Sequence, residues 1–188
     1  MTWSATSATA HVMGNEDNAH GQVALQLFDD AQNLRLHGSG TLVREVQAAA
    51  QLLADDWQVA SEVFSVTSYS ELARDAREVE RWNRLHPQDP ARTSHLTACL
   101  PKGAPVVAVS DYVRAVPQMV GSYIGSSYTV LGTDGFGRSD TRAALRDFFE
   151  VDRYHIVLAA LTALDARMCQ QAIEKYGLQA ERDPSWIS

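Results

Sequence analysis

The stretch Leu131-Gly-Thr-Asp-Gly-Phe-Gly-Arg-Ser-Asp-Thr-Arg142 contains three glycines and directly follows a short apolar run. This pattern is typical of a shaped loop at the carboxyl end of a strand. Because glycine adopts backbone angles that other residues avoid, we expect its three glycines to hold Phe136 and Arg138 in a fixed arrangement. Ser139 or Asp140 is predicted to cap the helix that follows.

Short apolar runs alternate with amphipathic segments of helical length on both sides of this loop. Strands are predicted at 34–37, 60–66, 105–110 and 128–131. Helices are predicted at 41–55, 70–85, 113–124, 141–149, 154–164 and 167–176. Within the third helix, Pro117 indicates a kink or a late start. The alternation predicts an α/β fold, a three-layer α/β/α sandwich with a mainly parallel sheet of about five strands.

The first 20 residues differ in composition from the rest of the chain. Residues 1–20 are rich in Ser, Thr, Ala, Asn and Asp without apolar periodicity, which predicts a mobile N-terminal arm. We expect residues 21–188 to form the folded domain, with residues 22–28 as a candidate edge strand. The arm lacks the basic start and apolar core of a secretory signal.

The overall composition excludes several classes of protein. A hydrophobic fraction of 45% with 21% charged residues is ordinary for a globular domain, and the formal charge of −7 disfavours nucleic acid as a partner. The longest apolar run is far shorter than the roughly 20 residues that span a bilayer. Cys99 and Cys169 belong to no Cys-x-x-Cys pair, which indicates two reduced thiols. We therefore expect a cytoplasmic protein with no membrane contact.

Several separated motifs together resemble one enzyme family. Besides the loop at 131–142, they are Ser65-Val-Thr-Ser-Tyr-Ser-Glu-Leu-Ala-Arg-Asp75, Glu80-Arg-Trp-Asn83, Leu85-His-Pro87 and Phe149-Glu-Val-Asp152. In this order they resemble the C-terminal domain of the homodimeric type of pyruvate dehydrogenase decarboxylating component. That family is a thiamine diphosphate-dependent branch of the transketolase superfamily, and the resemblance covers about residues 34–164.

The resemblance implies a function that this chain does not carry alone. In the family, cofactor and substrate lie between two other domains, and the C-terminal domain is largely architectural. The implied assembly binds thiamine diphosphate and Mg²⁺, decarboxylates a 2-oxo acid such as pyruvate, and transfers a two-carbon unit to an acyl carrier or another acceptor. The expected partners are chains carrying the N-terminal and middle domains, with an acyl-carrier or lipoyl domain as a further candidate, in a homo- or hetero-oligomer.

Two glycine-containing turns resemble the start of a cofactor-binding motif, but each lacks residues that its motif requires. Asp134-Gly135 resembles the start of the thiamine diphosphate motif, but that motif needs later asparagines as Mg²⁺ ligands, and Asn83 is the last asparagine of the chain. Gly38-Ser-Gly40 follows a strand, but Val43 occupies the third glycine position of a dinucleotide fingerprint. A tight structural turn is favoured there over an anion site. We therefore expect no cofactor to be bound by this chain alone.

The six histidines form no recognisable metal or catalytic pattern. No His-Glu-x-x-His run, Cys/His cluster or Gly-x-Ser-x-Gly elbow is present. Structural or surface roles are the expectation for these side chains, and His86 before Pro87 is assigned to a loop. We predict neither catalytic nor metal-binding residues.

Six residues are instead predicted to contact a partner chain. Three belong to the charged helix at 70–85, where weak ion pairs such as Glu71 with Arg74 are the alternative interpretation. The other three belong to the glycine-containing loop, where they would line an entry channel. The six residues are Arg74, Arg81, Trp82, Asp134, Phe136 and Arg138.

Three interpretations of the chain remain open at this point. It is the C-terminal-domain subunit of a split enzyme, a noncatalytic interaction module that keeps only the fold, or an expressed fragment of a longer protein. Neighbouring reading frames that encode the two other domains would favour the split enzyme.

Overall fold

The computed structural model describes residues 9–13, 34–100 and 103–187. Five strands form one sheet in the order β1-β3-β2-β4-β5, and every neighbouring pair is parallel. The strands are β1 (Thr9–Met13), β2 (Leu34–Gly38), β3 (Ser61–Val66), β4 (Val106–Val109) and β5 (Tyr128–Leu131). The predicted strands are confirmed to within one residue at each end.

Helices follow each of the strands from β2 to β5. They are α1 (Val43–Trp57), α2 (Tyr69–Leu85), α3 (His95–Cys99), α4 (Ala115–Gln118), α5 (Arg142–Phe148), α6 (Arg153–Leu164) and α7 (Cys169–Tyr176). Helix α2 is capped by the residue just before it, Ser68, whose hydroxyl accepts a hydrogen bond from the Glu71 N–H at 3.2 Å.

The two central strands are buried along their whole length. Every residue of β2 and β4 is buried, and Leu36 of β2 lies opposite Val63 on one side and Val107 on the other. Parallel strands covered on both faces have no solvent side, which explains the unbroken apolar run of β4. In β2 the buried Leu34 and Leu36 alternate with the buried Arg35 and His37.

Alternate residues of β4 belong to two separate cores, one on each face of the sheet. Val107 and Val109 pack with α1 and α6, whereas Val106 and Ala108 pack with α2 and α3 on the opposite face. This division follows from the two-residue period of a strand. The predicted α/β/α sandwich with a parallel sheet is confirmed.

Two local predictions in the helical layer need correction. The segment 113–124 is not one helix but the short α4 followed by a 3-10 turn at Gly121–Tyr123. Pro117 lies inside α4, where it lacks an N–H to continue the helical hydrogen bonds. Helix α3 was not predicted, since five residues are too few to show an amphipathic period.

The N-terminal predictions are only partly within the described residues. Thr9–Met13, which belongs to the predicted mobile arm, is the edge strand β1 and pairs with β3. The rest of that arm and the candidate strand at 22–28 lie outside the described residues. No helix in the described part of the chain is long and apolar enough to cross a bilayer.

Candidate functional site

Two glycines give the loop after β5 its shape. Gly135 has φ +114°, and a Cβ there would collide with the Ser185 carbonyl oxygen. At Gly132 a Cβ would lie 2.8 Å from the Tyr112 carbonyl oxygen and from the Arg114 nitrogen. Gly137 has neither a positive φ nor a neighbour within 4 Å of such a Cβ, so the prediction that all three glycines are needed is wrong at this position.

The helix that follows the loop is capped one residue later than predicted. The Thr141 hydroxyl accepts a hydrogen bond from the Ala144 N–H at 3.3 Å, so Thr141 is the N-cap of α5. The prediction of Ser139 or Asp140 is wrong. Asp140 still contributes locally, because its carboxylate accepts from the Thr141 N–H at 2.6 Å.

Asp134 joins the loop to two other segments of the chain. Its carboxylate accepts the Arg114 backbone N–H at 3.0 Å and lies 3.7 Å from the Nε of the same arginine. Its carbonyl oxygen accepts from the Ser185 hydroxyl at 2.6 Å. The Thr133 N–H donates to the Tyr112 carbonyl at 3.0 Å. The loop is therefore fixed to residues 111–114 and to the C-terminal segment.

These three segments present a group of exposed apolar side chains. Phe136 is 85% exposed and Ile187 is 71% exposed, and the other three are each about half exposed or more. We call this group the apical surface, and it consists of Tyr112, Val113, Phe136, Trp186 and Ile187. The Arg114 guanidinium borders it, 5.8 Å from the Trp186 ring centroid. The Arg138 guanidinium instead lies 3.9 Å from the ring centroid of Phe148 in α5.

A cleft of about 630 Å³ opens beside the apical surface, at the carboxyl ends of β2, β4 and β5. Its polar lining includes Thr41, Asp111, Thr133, Asp140 and Arg142.

The predicted turn at residues 38–40 forms one edge of the cleft. Gly40 has φ +55°, and a Cβ there would lie 3.0 Å from the Asp111 carboxylate. Below it, the Ser39 hydroxyl donates to the Ser110 hydroxyl at 2.8 Å. A carboxylate beside the turn repels an anion, so the geometry favours the structural interpretation of this turn.

An ion cluster that sequence reasoning missed lies beneath the cleft. The buried Glu45 carboxylate of α1 lies 2.6 Å from Arg146 and 2.9 Å from Arg153. Burial alone would raise the pKa of Glu45, but the hydrogen bonds and charges of the two arginines hold that pKa below its ordinary value. One feature of the sequence could have indicated this cluster. Glu45 is an acid on the apolar side of a predicted helix, three residues after Leu42 and four before Ala49.

The predicted interface residues on α2 are largely engaged within their own chain. Arg74 lies 2.7 Å from Glu71 and 2.9 Å from Glu78, which confirms the predicted ion pair. Trp82 stacks on His86 at 4.5 Å, and the Arg92 guanidinium lies 3.9 Å from the Trp82 ring centroid. Arg81 is exposed on the same helix. These residues lie on a different part of the molecule from the loop after β5.

One acidic cluster has the spacing of a cation site. Ligand atoms of Asp147, Asp152 and His155 lie within 4.8 Å of one another. Each carboxylate is already used: Asp152 accepts the Tyr154 and His155 N–H groups at 3.0 Å as the N-cap of α6, and Asp147 binds Arg182 at 2.6 Å. The helix cap at Asp152 and the ion pair of Asp147 therefore account for the cluster.

The other histidines and both cysteines have structural surroundings where they are described. The buried His37 ring packs edge-on against Phe64, with 5.3 Å between the ring centroids. Neither Cys99 nor Cys169 forms a disulfide bond in the described part of the chain. His20 lies outside the described residues.

Comparison with known proteins gives a consistent result. Residues 21–152 match the family model described as the transketolase-like TK C-terminal domain. The chain is 46% identical over 160 residues to the pyruvate dehydrogenase E1 component of Pseudomonas aeruginosa, covering 81% of this chain and 18% of the relative. The protein of that name from Cupriavidus necator is 48% identical over 160 residues, with the same coverage. The Escherichia coli K12 protein is 44% identical over 156 residues, which cover 79% of this chain and 18% of the relative.

The chain thus spans 18% of the length of these curated relatives. The family match includes strands β2 to β5, the loop after β5, and both Glu45 and Arg146, and it ends one residue before Arg153. Since the matched residues make up well over half of the sequence, the chain belongs to the transketolase-like C-terminal domain family.

Proposed function

We propose that this chain is the C-terminal-domain subunit of a split thiamine diphosphate-dependent enzyme of the pyruvate dehydrogenase and transketolase type. The assembled enzyme would decarboxylate a 2-oxo acid and pass a two-carbon unit to an acyl carrier or another acceptor. This chain would supply assembly contacts, and partner chains would supply the cofactor site.

The observation that carries the proposal is a contrast in coverage. Relatives named pyruvate dehydrogenase E1 component match about four fifths of this chain, whereas the chain matches 18% of each of them. Most of each relative's length is therefore not matched by these residues, and the proposal assigns that unmatched part to partner chains.

The residues of this chain do not fit a thiamine diphosphate and Mg²⁺ site. Asp134 is the acid that most resembles the family's metal motif by sequence. Its carboxylate already contacts the backbone N–H and the side chain of Arg114. The asparagine amide oxygens that the motif supplies to Mg²⁺ are missing as well, since no asparagine follows Asn83. The cofactor therefore enters the proposal only through the partner chains.

The rival proposal is a noncatalytic interaction module, which would keep the same fold and the same exposed residues. The two differ in whether the missing domains regain activity when this chain is added. The test uses the P. aeruginosa relative expressed without the region that matches this chain. We expect coexpression with this chain to restore pyruvate-dependent release of carbon dioxide. A stable complex without activity would favour the module.

A further inference from the structure

The apical surface brings together five large apolar side chains, each about half exposed or more. Each of its three aromatic side chains offers on the order of 150–250 Å² when buried. Contiguous apolar patches beyond a few hundred Å² mark interaction sites on soluble proteins. We infer that the apical surface docks the protein chain that supplies the part of the E1 relatives missing from this sequence. This inference rests on the proposed function and deepens it.

The surface is held in shape before any partner binds. Residues 111–114 and 133–136 are joined by the hydrogen bonds from Thr133 to Tyr112 and from Arg114 to Asp134. The C-terminal segment is joined to the same loop by the Ser185 hydroxyl and by its close approach to Gly135. A preorganised surface loses little conformational entropy on binding, which favours affinity.

The charge balance of the apical surface favours a protein partner over nucleic acid or a membrane. Residues 111–114, 131–142 and 182–187 together contain four arginines and four aspartates, while the whole chain carries a formal charge of −7. A locally neutral border around apolar side chains offers no electrostatic attraction to nucleic acid or to an acidic membrane. It matches a protein face with an apolar centre and a polar rim.

The surface of α2 is a weaker candidate for the same role. Its only tryptophan, Trp82, is contacted by His86 and Arg92 of its own chain, and Arg74 is paired with two glutamates. Binding there would have to displace contacts already made. At the apical surface, Phe136 and Ile187 are open to solvent.

The test compares single substitutions on the two surfaces in the coexpression system described above. Phe136→Ser and Trp186→Ser remove exposed apolar side chains from the apical surface. Leu85→Ser is the matched control, since Leu85 is 55% exposed at the end of α2. We expect each apical substitution to weaken the affinity for the truncated P. aeruginosa protein at least about tenfold, without changing the melting temperature of the isolated chain. Leu85→Ser should leave the affinity unchanged.

The possible outcomes separate this inference from the proposed function. If the wild-type chain binds and the apical variants bind equally well, the docking surface is wrong while the split-enzyme proposal stands. If the wild-type chain neither binds nor restores activity, the proposed function fails and the inference fails with it. If the isolated chain dimerises in sedimentation and Phe136→Ser abolishes the dimer, a second copy is the occupant and the inference is overturned.

Discussion

The Glu45 carboxylate and the Arg146 guanidinium lie 2.6 Å apart, although 101 residues separate them in the sequence. Arg153 binds the other oxygen of the same carboxylate at 2.9 Å. One buried acid therefore ties the start of α1 to α5 and to the first turn of α6, directly below the cleft.

Glu45→Gln should destabilise the fold substantially. The amide keeps the size of the side chain but leaves two arginines facing each other without a counter-charge. We expect the free energy of unfolding to fall by about 2 to 4 kcal/mol, toward the lower end because Arg153 is partly exposed. Urea denaturation measures this change. Glu78→Gln, which removes an exposed partner of Arg74, is the control and should change stability little.

Two of the three glycines in the loop, Gly135 and Gly137, should respond differently to substitution. Gly135→Ala places a methyl group against the Ser185 carbonyl at a φ that alanine avoids, so we expect a loss of about 2 kcal/mol or more. Gly137→Ala should be tolerated, because nothing lies within 4 Å of the added carbon. Thermal unfolding of the two variants provides the comparison. Equal melting temperatures would contradict the role assigned to Gly135.

The cap of α5 can be tested in the same way. Thr141→Ala removes the hydroxyl that accepts the Ala144 N–H and should cost about 1 kcal/mol. Ser139→Ala should have no comparable effect. A larger loss from Ser139→Ala than from Thr141→Ala would restore the cap position predicted from the sequence.

Stability should decline in mild acid because of His37. The pKa of His37 is lowered to about 3, mainly by burial of the imidazole and to a smaller extent by the nearby charge of Arg35. In the unfolded chain the His37 imidazole takes up a proton near pH 6.5, whereas in the folded chain it does so only near pH 3. Protonation therefore favours the unfolded state increasingly as the pH falls from 6.5 toward 3. The slope is roughly 1.4 kcal/mol for each pH unit.

Measuring the free energy of unfolding between pH 7 and pH 5 excludes the carboxylates, which titrate at lower pH, and comparison with a His37 variant excludes the other five histidines. His37→Leu should flatten the dependence in this range, whatever its effect on absolute stability. An unchanged slope in that variant would show that another group is responsible.

The sheet was predictable because its strands carry their signal locally. Val106–Val109 is buried on both faces and is a short continuous apolar run, whereas Leu34–Gly38 shows its signal as two leucines that alternate with Arg35 and His37. The helices α1 and α2 are long enough to show an apolar face. Helix α3 is too short for that signal, and a cap can move by one residue among adjacent Ser, Asp and Thr side chains.

The candidate site was less predictable because its key contacts are between distant residues. Gly135 approaches Ser185, and Glu45 meets Arg146, pairs that no local pattern links. The sequence did indicate Asp134, Phe136 and Arg138 as a group, since they share one glycine-containing loop. It gave no sign that Trp186 and Ile187 would lie beside them.

The most direct test of the central claim is isothermal calorimetry of the purified chain with thiamine diphosphate and Mg²⁺. We predict no heat beyond that of dilution, because the chain lacks the ligands for the metal and the diphosphate. Saturable, tight binding of the cofactor to the chain alone would contradict the account.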